Sequence, residues 1–155
     1  MNIKKNLFYL SPLCLLAVTS LTLQAHEKEG DAERAIEYRQ SVMTVFGWNM
    51  KPMGAMIKGA VPFDQAAFAK HAKDLDAAAH LDLLAGFPED SEGDDSDARA
   101  DIWLNFDDFK QKYADLQTAV GSLHKAAEGN DQAAIKDAFG GVGKACKACH
   151  KAYKD

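Results

Sequence analysis

The sequence predicts an all-α chain folded as an antiparallel four-helix bundle. Apolar residues recur at three- and four-residue spacing through four separate stretches, which is the period of one helix face. No stretch alternates apolar and polar residues as a half-buried strand does, and no internal repeat is visible. Helix breakers fall between the stretches: Gly59, Ala60 and Pro62 after the first, the segment 86–99 after the second, and Gly129 after the third. A length of 155 residues suits one domain, and four amphipathic helices with short or single-loop connections pack antiparallel.

Residues 1–25 stand outside that pattern. Lys4 and Lys5 open the chain, an apolar stretch from Leu7 to Val18 follows, and small and polar residues lead to Ala25. This reads as a secretory signal peptide cut before His26, although Leu23 is larger than the residue usual at its position. The apolar run is too short to span a bilayer. Residues 26–155 then form the domain, and with Cys14 removed they hold two cysteines, Cys146 and Cys149. Loss of Lys4 and Lys5 takes the formal charge from -5 to about -7. That balance argues against nucleic acid or an anionic membrane as partner.

The first helix is expected over 31–58, with Ile36, Met43, Met50 and Ile57 at sevenfold spacing and Phe46 and Met53 between them. Val45, Trp48, Met50, Met53 and Met56 give it more apolar residues than one seam needs, so part of that set should face outward and mark an interface. The second helix is expected over 63–84, with Asp64 near its start and Phe68, Ala72, Leu75, Ala79 and Leu83 buried. Its alanines favour helix and let neighbours approach closely. The segment 86–99 holds Pro88, Gly93 and a run of carboxylates and reads as a solvated connection. The third helix is expected over 102–128 on Phe106, Phe109, Tyr113, Leu116, Val120, Leu123 and Ala127. Gly129 ends it, and Asn130 or Asp131 caps the next. The fourth covers 132–153, with Ile135, Phe139, Val142, Cys146, Cys149 and Tyr153 inward. Gly140, Gly141 and Gly143 lie within it, each costing about 1 kcal/mol against alanine. They allow either a close approach of the backbone to a bound group or a local kink.

Cys146-Lys147-Ala148-Cys149-His150 is a C-x-x-C-H run, the spacing of covalent c-type haem attachment. Cysteines three apart share a helix face, so each thiol can form a thioether to one haem vinyl group. His150, four residues after Cys146, lies close to that face and can reach the iron. Export suits this cofactor, which is attached outside the cytoplasm. A C-x-x-C pair also serves as a redox disulfide or as half of a zinc site. The first normally sits beside a βαβ pattern. The second needs two more ligands, and His26, His71, His80 and His124 are scattered.

These residues resemble the cytochromes c′, the class II c-type cytochromes, which are a standard example of the four-helix bundle. The resemblance extends over nearly the whole mature chain. It rests on the motif at the C-terminus, on Tyr38-Arg39-Gln40-Ser41 and Lys58-Gly59, on Asp97-Ala98-Arg99 before Ile102-Trp103, and on the run from Phe139-Gly140 to Tyr153. It implies one covalent haem c held by Cys146 and Cys149, with His150 as fifth iron ligand. Arg39 would approach a haem propionate and Phe87 would be a distal-side aromatic. Lys154 stands where the family often has an arginine near the proximal face, and it lacks arginine's planar fork. Met43 would face the distal side. There it either covers a five-coordinate, high-spin iron as an apolar side chain or, as in low-spin relatives, ligates it. Thioether sulfur is a competent haem ligand, and methionine is also a common filler of irregular cores.

The resemblance further implies a periplasmic homodimer packed through its first two helices. Such a protein binds NO and CO, carries electrons with a redox partner, and is not an enzyme. The alternative is a six-coordinate low-spin electron carrier with Met43 as sixth ligand. A peroxidase-like enzyme would want a distal His or Arg over open iron, and the first-helix stripe offers no such distal group.

Overall fold

The computed structural model describes residues 30–155 apart from Asp94, and of residues 13–29 only that they are helical. The signal-peptide expectation lies outside the described residues. The chain divides into two units, Met1–Asp31 and Ala32–Asp155, and every packing and site residue described below lies in the second.

The elements in order are α1 (Leu13–Ile57), α2 (Gln65–Ala79), a 3₁₀ turn (Leu83–Gly86), α3 (Asp101–Leu104), α4 (Phe106–Ala127) and α5 (Gln132–Tyr153). Asp64 starts α2 by accepting the Ala67 N–H, and Asp131 starts α5 by accepting the N–H groups of Ala133 and Ala134. Both carboxylates fill the N-cap role that the sequence offers. Pro52 lies within α1, which continues past it to Ile57. The core is one continuous cluster, with Phe68, Leu75, Val120, Leu123, Ile135 and Val142 almost fully enclosed. Asn49 and His71 bond across α1 and α2 at 3.0 Å, and His124 and Asp76 across α4 and α2 at 2.9 Å.

Three boundaries or faces differ from expectation. The second helix stops at Ala79 instead of running to Leu84. The Tyr113 hydroxyl donates to the Ala79 and Leu81 carbonyls, and Gln117 Nε2 also donates to Ala79 O. These take up carbonyls that a continuing helix would use. Asp82 then accepts the Ala85 N–H and opens the 3₁₀ turn. The third helix is interrupted at Asn105, whose φ of -131° and ψ of 42° are not helical. Asparagine competes poorly for a helix interior.

On α1 the buried face is Ile36, Arg39, Val42, Phe46, Asn49, Met53 and Met56. Of the expected sevenfold row, Met43 is 38% exposed, and Met50 and Ile57 are half-buried. One residue is about 100° of helix, so the core face is turned one position from that row. Among the residues expected to provide an outer face, Met53 and Met56 are buried, while Val45 and Trp48 are exposed.

Candidate functional site

The attachment motif occupies the last turns of α5. Cys146 and Cys149 are half-buried free thiols on the inward face. Burial raises the pKa of both, so they rest as neutral thiols. Zinc ligation and disulfide exchange both require thiolate. Among the described residues no group of three or more His, Cys, Asp and Glu side chains could hold a metal ion. A closed zinc site therefore finds no further ligands here. His150 is exposed in the last turn. Desolvation, and then the Lys154 ammonium, hold its pKa below the usual histidine value. That keeps the imidazole neutral, the form that binds metal.

The level of Met43 follows from two anchor points. A Cβ at Gly54 on α1 would lie 3.5 Å from Phe139 on α5. Met56 and Ile57 line one cavity with Gln132, Ala133 and Lys136, so the two helices run antiparallel. Met43 lies as many residues before Gly54 as His150 lies after Phe139, about 16 Å along each helix. Met43 and His150 therefore sit at the same height in the bundle.

Met43 is 38% exposed and both cysteines are half-buried. The helix runs unbroken through Gly140, Gly141 and Gly143, and a Cβ at any of them would face open space. The glycines do not end the helix. Two inward thiols, a neutral imidazole and an apolar seam suit a large planar group attached at Cys146 and Cys149.

Arg39 is 3% exposed on the core face of α1. Nη1 donates to Gly86 O and Ser91 Oγ at 2.8 and 2.9 Å, and Nη2 to Ser91 O and Ser96 Oγ, both at 2.7 Å. All four terminal N–H groups are engaged, which leaves only Nε–H. The guanidinium also lies 4.8 Å over Phe87 and 5.8 Å over Trp103. The sequence reading gave Arg39 no protein partner, and here it ties the 86–96 segment to α1. Phe87 is buried against Phe109 at 4.8 Å and Trp103 at 6.3 Å. Lys154 Nζ pairs with Asp97 at 2.6 Å, and its backbone bridges to Ala98. It fastens the C-terminus to the segment before α3.

Sequence reasoning missed Ser91, Ser96 and Asp97 as partners, and it missed Asp108. The Tyr153 hydroxyl donates to Asp108 Oδ2 at 2.5 Å, and Lys112 lies 3.4 Å from the same oxygen. Arg39 in a buried stripe was the available signal, because such a charge requires enclosed acceptors.

Two buried phenols give the protein an alkaline limit. Tyr113 is pushed up to about 12 by burial, with nearby Tyr38 and Asp82 adding to it. Tyr153 is pushed up to about 12 by burial and its bond to Asp108. Unfolded tyrosine ionises near 10. Below that value both states keep the proton and stability is intact. Between about 10 and about 12 only the unfolded chain ionises, so stability is lost as the pH rises. Denaturant titrations at stepped alkaline pH should show this fall, and Tyr113→Phe should make it shallower.

Comparison with known proteins places this geometry. The family model for cytochrome c′ matches residues 34–154, which take in every site residue above. The chain belongs to the cytochrome c′ family. The cytochrome c′ of Halomonas halodenitrificans is 37% identical over 130 residues, covering 80% of this chain and 98% of that protein. The cytochrome c′ of Alcaligenes xylosoxydans is 37% identical over 122 residues, covering 79% and 94%. Among solved structures, cytochrome c prime from Shewanella frigidimarina superposes with a TM-score of 0.77 at 40% identity, covering 80% of this chain and 96% of that one. A nitric oxide complex of a mutant cytochrome c prime from Alcaligenes xylosoxidans gives 0.73 at 36% identity, covering 80% and 95%. Cytochromes c′ are haem proteins, not enzymes, and carry one covalent haem c. The C-x-x-C-H run, with both cysteines half-buried on the inward face of α5, fits that cofactor.

Proposed function

We propose that this cytochrome c′ is a periplasmic haem protein with five-coordinate, high-spin iron that binds NO and CO and passes electrons to a redox partner. Cys146 and Cys149 hold the haem through thioethers, and His150 is the fifth ligand. The haem supplies an iron that takes up a diatomic gas or changes redox state. Met43 covers the opposite face as an apolar side chain and excludes water. Arg39 holds the 86–96 segment in place, and its remaining Nε–H is available to a propionate. Phe87 stiffens that segment on the distal side, and Lys154 fastens the proximal end through Asp97.

The observation that carries this reading is the matched height of Met43 and His150 on antiparallel helices. On that reading Met43 is the apolar residue opposite the imidazole. The polar side chain one turn before it, Arg39, has its terminal donors tied to the loop. With those terminal donors engaged and the Nε–H given to a propionate, NO should bind better than O₂. The nitric oxide complex of the Alcaligenes protein supports the choice of gas. Export rests on the leader-like residues 1–25, and no described helix is long and apolar enough to cross a membrane.

Optical spectra of both redox states, with and without CO, test the assignment. Met43→Ala should leave the ferrous iron high-spin and speed CO and NO binding about tenfold, equivalent to about 1.4 kcal/mol off the barrier. A sharp low-spin ferrous spectrum in the native protein that turns high-spin in Met43→Ala would instead make Met43 the sixth ligand.

The protein is also proposed to be a homodimer through α1 and α2. Val45 and Trp48 expose apolar surface on α1, 41% and 74% accessible. Sedimentation at micromolar concentration should give a dimer that Trp48→Glu converts to monomer. A native monomer under those conditions would refute the interface.

A further inference from the structure

The two buried tyrosines face different chemistry. Tyr113 is 6% exposed, and its hydroxyl donates to two backbone carbonyls, of Ala79 and Leu81. A carbonyl cannot take the proton. Tyr153 is 5% exposed, three residues after His150, and donates to the carboxylate of Asp108 at 2.5 Å. A carboxylate can take it. A 2.5 Å O–H···O⁻ contact is the short, charge-assisted kind. Lys112, 3.4 Å from the accepting oxygen, favours the ionised form of Asp108. Oxidising a phenol near neutral pH is feasible only when its proton leaves with the electron, so of this pair only Tyr153 is equipped as an electron donor.

Tyr153 also begins a path. Its ring meets the edge of Phe109 at 5.4 Å, Phe109 meets Phe87 at 4.8 Å, and Phe87 meets Trp103 at 6.3 Å. Trp103 is half-buried, with its Nε1–H donated to the Phe87 and Pro88 carbonyls, and it precedes Leu104, which is 79% exposed. The series runs from the helix face that carries Cys149 to the surface around α3.

We propose that Tyr153, with Asp108 as proton acceptor, is a one-electron donor to the haem when the protein meets hydrogen peroxide. Reduction of one peroxide to two waters consumes two electrons and two protons. The haem gives one electron and Tyr153 the other, and solvent supplies the two protons. The phenolic proton passes to Asp108 Oδ2, which becomes a neutral carboxylic acid, and Tyr153 is left as a neutral phenoxyl radical. The proposal rests on the haem assignment above.

The test mixes ferric holoprotein with hydrogen peroxide, freezes it, and records the electron paramagnetic resonance spectrum. Native protein should give a tyrosyl radical signal. Tyr153→Phe, which keeps the ring and its packing, should lose it, and Tyr113→Phe should retain it. Asp108→Asn should cut the yield several-fold. A signal that survives in Tyr153→Phe, a full yield in Asp108→Asn, or haem-loaded native protein without any tyrosyl radical would each overturn the donor. Intact mass of the same samples separates the two levels. Haem present without the radical removes this donor alone, and haem absent removes the assignment beneath it as well.

Discussion

Replacing both Cys146 and Cys149 by alanine is expected to abolish covalent haem and to leave a chain that melts far below the native protein. Both thiols are half-buried and pack against the core. Alanine keeps the helix, because it is the strongest helix former, so the change removes the attachment chemistry without breaking α5. Intact mass spectrometry should show the loss of a haem-sized increment. The haem stays on the chain in both states, so it stabilises the fold through the apolar ring surface it buries there, at about 25 cal/mol per Å², and its loss leaves a cavity in the bundle. His150→Ala separates the two roles. The haem mass should stay while the iron spectrum changes strongly, and His71→Ala and His124→Ala should leave the spectrum alone. Those two rings are already engaged by Asn49 and Asp76. A double cysteine variant with native mass and native melting would refute the attachment site.

The parts of the molecule that local rules decide were legible in the sequence. The fourth helix was expected over 132–153, and α5 spans Gln132–Tyr153, because an N-cap at its start and an unbroken apolar row are local signals. The C-x-x-C-H spacing is equally local. Features fixed by another element were not legible. The early end of α2 depends on Tyr113 and Gln117 reaching over from α4. The core face of α1 contains Arg39 and Asn49, which a search for apolar rows passes over, and so the expected row was drawn one position aside. Met43 illustrates both sides. Its distal role came from resemblance, and its height opposite His150 became an argument only once Gly54 was seen against Phe139.

Arg39→Met is expected to be the costliest single substitution away from the attachment motif, at about 2–6 kcal/mol from two acceptors left without a donor. The guanidinium is buried, and desolvation lowers its pKa, yet arginine stays charged in proteins. Among the described residues no carboxylate forms an ion pair with it, so its stability comes from four hydrogen bonds and two aromatic faces. Methionine would fill much of the volume and remove every donor. Gly86 O and Ser91 O would remain enclosed without the partner that now satisfies them, and each orphaned acceptor costs about 1–3 kcal/mol. The 86–96 segment would then lose its tie to α1, and Phe87 would lose the cation above it. Against a total of about 5–15 kcal/mol for a small domain, this loss should move the denaturant midpoint far down and expose the segment to proteolysis. Arg39→Lys should rescue only part of it, since a compact ammonium cannot span two carbonyls and two hydroxyls at once. Ser91→Ala should cost less than either, because the guanidinium keeps its three other acceptors. An Arg39→Met protein within about 1 kcal/mol of native stability would show that the segment is held from elsewhere, and the hydrogen bonds of Arg39 would then be a consequence of its placement instead of its cause.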